Sequence, residues 1–159
     1  MWDPAAFASV AMTYRPDETF GAPMVTNWWA EAQACRDPMA YRFFSAPPIA
    51  TAEGAHAELY LRLPEEDRAL PLSALGQPIT YQWFPDRVER EMMFRDLRFA
   101  STLCLAPERD VLLLEMRVAN LGRVPIPALT LFLKLRSGVQ WLENFAAWNS
   151  IALPAAATS

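Results

Sequence analysis

Three acidic side chains stand close together in TYQWFPDRVEREMMFRDL, Thr80 to Leu97: Asp86, Glu89 and Glu91. Two carboxylates about 5 to 9.5 Å apart on facing sides of a sugar are the usual machinery of glycoside hydrolysis. Here Glu89 and Glu91 alternate with apolar positions. That spacing places them on the wet face of a strand, with Arg87 and Arg95 as cross-strand partners. PEEDR, Pro64 to Arg68, reads as a solvated loop. Nucleophilic chemistry has less support. Ser9, Ser45, Ser101 and Ser137 lack a GxSxG context, and the single histidine, His56, lies in a loop near Gly54. No GxGxxG or GxxxxGK[ST] stretch occurs, so no nucleotide site is expected. Cys35 and Cys104 each sit among apolar neighbours and read as buried reduced thiols, with a single disulfide as the alternative. With one histidine and no CxxC or HxxxH spacing, they form no zinc site. The residues thus assign no catalytic group, no metal site and no cofactor.

The tryptophans are the more informative set: Trp2, Trp28, Trp29, Trp83, Trp141 and Trp148. A flat indole is a natural platform for the apolar C–H face of a sugar ring, and equally a core filler or an interface anchor. Trp83 is in phase with Ile79 and Tyr81 and is assigned to the core. Trp28 and Trp29 are adjacent, so on a helix they point about 100° apart and cannot both face inward. One is then exposed or covers a sheet edge. Trp141 and Trp148 are seven apart and share a face if that stretch is helical. Trp28, Trp29, Trp141 and Trp148 are the candidate carbohydrate-binding residues.

From Ala57 onward the dominant hydrophobic period is two, the signature of half-buried strands. Leu59, Leu61 and Leu63 alternate with Glu58, Tyr60 and Arg62; Ile79, Tyr81 and Trp83 with Thr80 and Gln82. In RVEREMMF, Val88, Met92 and Phe94 line one side, while Arg90 and Met93 break the pattern. Leu97, Phe99, Leu103 and Leu105 continue it, as do Met116 and Val118 in DVLLLEMRVAN. In ALTLFLKLRS, Leu129, Leu131, Leu133 and Leu135 form the inward face. Prolines punctuate these runs, and proline cannot donate to a strand ladder. Asn120-Leu121-Gly122 is a turn signal. Six strands with short connections favour antiparallel neighbours. The expected fold is mainly β, an antiparallel β-sandwich over residues 57–140, with a tail or linker over 141–159.

Residues 1–56 differ. They are rich in alanine, proline and aromatics, with weak periodicity. The expectation is a loop-rich segment carrying a short helix at NWWAEAQACRD, with Asn27 as N-cap and Trp28, Ala32 and Cys35 on one face. DPMAYRFF offers a second helical turn, with Asp37 as cap.

The chain has 159 residues, 53% of them hydrophobic and 20% charged, and a net charge of −4. That balance is globular rather than disordered. There is no basic stripe of the kind that nucleic acid requires. No apolar run approaches about 18 residues, so no transmembrane helix is expected. MWDPAAFASV lacks a basic leader, and the expectation is a cytoplasmic protein.

Two stretches resemble a known family. Trp83-Phe84-Pro85-Asp86-Arg87 enters a strand, and VANLGRVPIPALTL, Val118 to Leu131, joins two alternating strands through Asn-x-Gly and a proline loop. Together with the strands around them, they resemble the β-sandwich domain that precedes the helical barrel in bacterial glycoside hydrolases. These are relatives of glucoamylases, glycogen-debranching enzymes and mannosyl-oligosaccharide glucosidases. In that family the general acid and base sit on an (α/α)6 barrel, for which this chain has neither length nor helical periodicity. The resemblance implies a non-catalytic accessory domain whose partner is such a barrel, with an oligosaccharide as a further partner, and it carries over no catalytic residue. A stand-alone carbohydrate-binding module using exposed tryptophans, and a structural module unrelated to sugars, are the alternatives.

Overall fold

The computed structural model describes residues 10–16, 18, 21, 23–47, 49–51, 57–126, 130–135 and 139–141. The chain is an antiparallel β-sandwich, with thirteen strands among the described residues. Five lie in the first third: β1 (Val10–Tyr14), β2 (Met24–Thr26), β3 (Glu31–Ala34), β4 (Tyr41–Ala46) and β5 (Ile49–Thr51). β6 (Glu58–Arg62) and β7 (Leu70–Pro71) follow, then a short 3₁₀ turn at Leu72–Leu75. The long strands are β8 (Ile79–Trp83), β9 (Arg87–Phe94), β10 (Leu97–Leu105) and β11 (Leu112–Asn120). β12 (Thr130–Lys134) and β13 (Val139–Trp141) come last. All six strands expected from the alternation downstream of Ala57 are present, within a few residues at each end.

One layer is a five-stranded sheet in the order β1-β8-β9-β10-β11. Facing it are a second five-stranded sheet, β13-β5-β4-β3-β2, and a three-stranded one, β12-β6-β7. The core has two parts accordingly. Val25, Ala32, Ala34 and Ala46 from β2–β4 pack on Ile79, Tyr81, Val88 and Leu103. Leu59, Leu61, Leu63, Leu72 and Met39 pack on Met92, Leu97 and Phe99. Alanine on one side against larger side chains on the other lets the layers approach and interdigitate.

The N-terminal third is therefore not an irregular appendage. β1 pairs with β8, and β2–β4 cover half of the long sheet. The helix expected over NWWAEAQACRD is absent: Glu31–Ala34 is a strand, with Ala32 and Ala34 both fully buried. Residues two apart share a strand face but not a helix face, and here tertiary packing overrides alanine's helical preference. At DPMAYRFF there is a tight turn rather than a helix. Asp37 Oδ1 accepts the Met39 N–H at 2.8 Å, and β4 begins at Tyr41.

Two sets of side chains expected in the core keep their face but are less buried than expected. Trp83 ends β8 past the packed core; it is 38% exposed and its Nε1 donates to the Met24 carbonyl at 2.9 Å. Leu131 and Leu133 sit opposite Leu61 and Leu59, on the core side as expected. They nonetheless stay exposed, as does Leu135, because β12 is an outer strand that overhangs the second core cluster. Leu129 lies outside the described residues.

Candidate functional site

The residues 27–30 link β2 to β3, and the side chain of Asn27 organises that link. Its Oδ1 accepts the backbone N–H groups of Trp29 at 2.8 Å and Ala30 at 2.7 Å. These are the donors a helix N-cap would satisfy, two and three residues on. The Asn27 N–H instead closes on the Ala30 carbonyl at 2.9 Å, and the chain reverses into a hairpin. Asn27 Nδ2 donates to the carbonyls of Ala106 and Arg109, each at 3.0 Å. Two bonds accepted and two donated use the full capacity of a primary amide. The turn is thus clamped to the β10–β11 hairpin of the opposite layer.

That clamp presents both indoles to solvent. Trp28 is 99% exposed and Trp29 58%. Trp29 lines an open groove of about 450 Å³ with Pro47, Glu108, Arg109 and Asp110. A ring carried on a fixed turn binds with little loss of backbone freedom. An indole face beside two carboxylates and a guanidinium offers an apolar plate with hydrogen-bonding groups at its rim. Of the four tryptophans singled out by sequence, Trp28 and Trp29 come together here. Trp141 is in β13, paired with Ile49 of β5, so it lies on a strand and shares no helical face with Trp148. Trp148 lies outside the described residues.

The carboxylates of the opening stretch do not form a hydrolytic pair. Arg87 Nε holds Glu89 at 2.7 Å and its Nη1 reaches Asp86 at 3.1 Å; Arg98 Nε holds Glu91 at 2.8 Å. Arg95 turns away to Glu65 instead of serving the Glu89–Glu91 face. All three carboxylates are engaged by arginine on an exposed or half-exposed surface, Asp86 and Glu89 sharing Arg87.

The position that broke the alternation in β9 is the least expected feature. Arg90 points inward and is 2% exposed. Its Nε donates to Ser101 Oγ at 3.0 Å, and its Nη1 to the carbonyls of Asp37, at 3.2 Å, and Ala40. Ser101 in turn donates to the Pro38 carbonyl. Arg90 and Ser101 therefore satisfy three carbonyls of the 37–40 turn, between one core cluster and the other. Burial pushes the Asp37 carboxyl up to about 6, against the pull of the Met39 N–H and Arg90. Burial also lowers Arg90 to about 10, which leaves it charged at neutral pH. Tyr81 donates its hydroxyl to the Cys35 carbonyl at 2.7 Å, and burial raises its pKa. This set staples backbone together and faces no cleft. Sequence marked Arg90 only as an irregularity; a charge in phase with Val88 and Met92 was the available signal.

Among the serines considered, Ser101 is consumed in that network and Ser45 is buried in β4. Ser9, Ser137 and His56 lie outside the described residues. Cys35 and Cys104 are free thiols, half-buried rather than fully buried, and burial raises the pKa of both. Among the described residues no cluster of His, Cys, Asp and Glu could hold a metal ion, and no helix is long and apolar enough to cross a membrane. No protein-family model, curated protein or solved structure matches this chain.

Proposed function

We propose that this chain is a non-catalytic β-sandwich that serves a carbohydrate-active enzyme and contacts glycan through Trp28 and Trp29. The observation that carries the reading is the Asn27 clamp, whose four hydrogen bonds fix a turn with two solvent-facing indoles, Trp29 beside Glu108, Arg109 and Asp110 and Trp28 next to it in the chain. A core or edge-covering role asks for buried rings, and these are the most exposed tryptophans described. The uncovered leucines on one face of β12, Leu131 and Leu133, favour a second contact, with a catalytic helical-barrel domain. The resemblance of Trp83–Arg87 and Val118–Leu131 to glycoside hydrolase sandwiches points to the same setting.

The test is intrinsic tryptophan fluorescence titrated with malto-, xylo- and manno-oligosaccharides. At least one series should shift or quench the emission saturably, and Trp28→Ala with Trp29→Ala should abolish that response while leaving the melting midpoint unchanged. Saturable binding that survives the double substitution would refute the platform. No response to any of the three series would remove glycan contact from the function.

A further inference from the structure

The face of the long sheet turned away from the core carries a second feature. Antiparallel register aligns its outward side chains into rows across the strands. One row runs Gln82, Glu89, Thr102, Glu115, and the next runs Thr80, Glu91, Ala100, Arg117. β10, flanked by β9 and β11, contributes small side chains, Ala100 and Thr102, while those two neighbours contribute long ones. The result is a trough of about 480 Å³ with a low floor along β10 and tall polar walls.

The chemistry of the walls narrows the occupant. Glu89 pairs with Arg87, Glu91 with Arg98, and Glu115 with Arg117 at 2.7 Å. Arg87 stands outside the lining and is shared with Asp86, so the outward lining holds three carboxylates against two guanidiniums, close to balance with a slight negative excess. A polyanion would need uncompensated cations, and an apolar ligand would need an apolar lining. Not one residue lining the trough is aromatic. What remains is a dense array of donors and acceptors on a surface of little net charge, which fits a neutral polyhydroxylated chain. A carboxylate can accept from two neighbouring hydroxyls, and a guanidinium edge can donate to two oxygens.

We propose that this trough is a second glycan-binding site, taking a neutral oligosaccharide lengthwise along β10 through hydrogen bonds rather than stacking. The proposal rests on the carbohydrate reading above and extends it to a different face of the sandwich. The Ala106–Val111 hairpin at the end of β10 is also the anchor of the Trp28–Trp29 turn. The Thr102 end of the trough lies four residues from Ala106, about 13 Å along an extended strand.

The experiment is an amide and indole NMR titration of the isotope-labelled full chain with maltoheptaose, xylohexaose and mannohexaose. The expected result is that one probe shifts both the indole N–H signals of Trp28 and Trp29 and the amides of Arg98–Cys104. Ala100→Trp, which fills the trough floor, should abolish the β10 shifts and leave the indole shifts. Glu91→Gln, a milder change that unbalances one pair, should weaken the β10 response and leaves the result readable if Ala100→Trp does not fold. Indole shifts without β10 shifts overturn the trough and leave the Trp28–Trp29 reading standing. β10 shifts without indole shifts support the trough and overturn the platform. Silence toward all three probes at millimolar concentration overturns both.

Discussion

Replacing Arg90 by methionine tests what holds the two halves of the core together. The side chain is inaccessible to water and donates to Ser101 Oγ and to the carbonyls of Asp37 and Ala40. Methionine fills much of the same volume and donates nothing. The three acceptors lose their donor in a place water does not reach, at about 1–3 kcal/mol for each group left unpaired. Against this stands the desolvation of a guanidinium that the variant no longer has to bury. Removing one member of a buried charged network typically costs about 3–5 kcal/mol net, and that is the expected loss here. With an m-value of about 2 kcal/mol per molar, the urea midpoint should fall by about 1.5–2.5 M at unchanged m. Ser101→Ala removes one acceptor of Arg90 and the donor to the Pro38 carbonyl, and should cost about 1–3 kcal/mol. The two substitutions share one hydrogen bond, so their effects should fall short of additive. A midpoint for Arg90→Met within about 0.3 M of the parent chain would falsify the claim that Arg90 is the seam of the core.

Other substitutions probe the same account. Asp37 titrates at about 6 when folded against 3.8 as an isolated side chain, so the folded state holds a proton that the unfolded chain releases between those values. The contribution of Asp37 to stability should therefore be greatest below about pH 4, fall as pH rises to about 6 by on the order of 3 kcal/mol, and level off above. Asp37→Asn should remove that slope in urea denaturations run across the window. Asn27→Ala forfeits four hydrogen bonds and should lower stability by about 2 kcal/mol, with a fall in the fluorescence anisotropy of Trp28 and Trp29 as the turn loosens. An anisotropy equal to the parent's would mean that other contacts fix the turn. Gly122→Ala places a methyl 2.7 Å from Asp96 Oδ2 and 2.9 Å from its Cβ, and should cost about 1–2 kcal/mol by thermal melting. Asp96→Gly should recover much of the loss, because it removes the three atoms nearest the new methyl.

What sequence made legible follows from how many residues each element commits to one pattern. β9, β10 and β11 run eight or nine residues with one face packed, so the two-residue period repeats often enough to be read, and their register fixes the outer rows as well. β2, β3 and β5 have three or four residues, and the buried side chains of β3 are alanines, whose small contrast with glutamate and glutamine erases the period. Asn27 compounds the ambiguity, because its side chain makes the same local bonds in a helix cap and in this hairpin. Only the distant carbonyls of Ala106 and Arg109, about eighty positions on, decide between them. Burial depends on the neighbour as much as on the residue. Leu131 and Leu133 have the right phase for a core, but β12 lies at the outer edge of its sheet, so phase alone promised more cover than the fold supplies. The candidate site behaves in the same way. Adjacent tryptophans signal that something must be exposed, whereas the clamp that turns exposure into a rigid platform is a contact between layers, which no local pattern encodes. Arg90 inverts the case: its charge argued for solvent, and two carbonyls of a turn fifty residues earlier, with Ser101 Oγ, draw it inside. Chemistry was readable wherever the partner was near in the chain, and it went unread wherever the partner arrived only through the packing of one layer on the other.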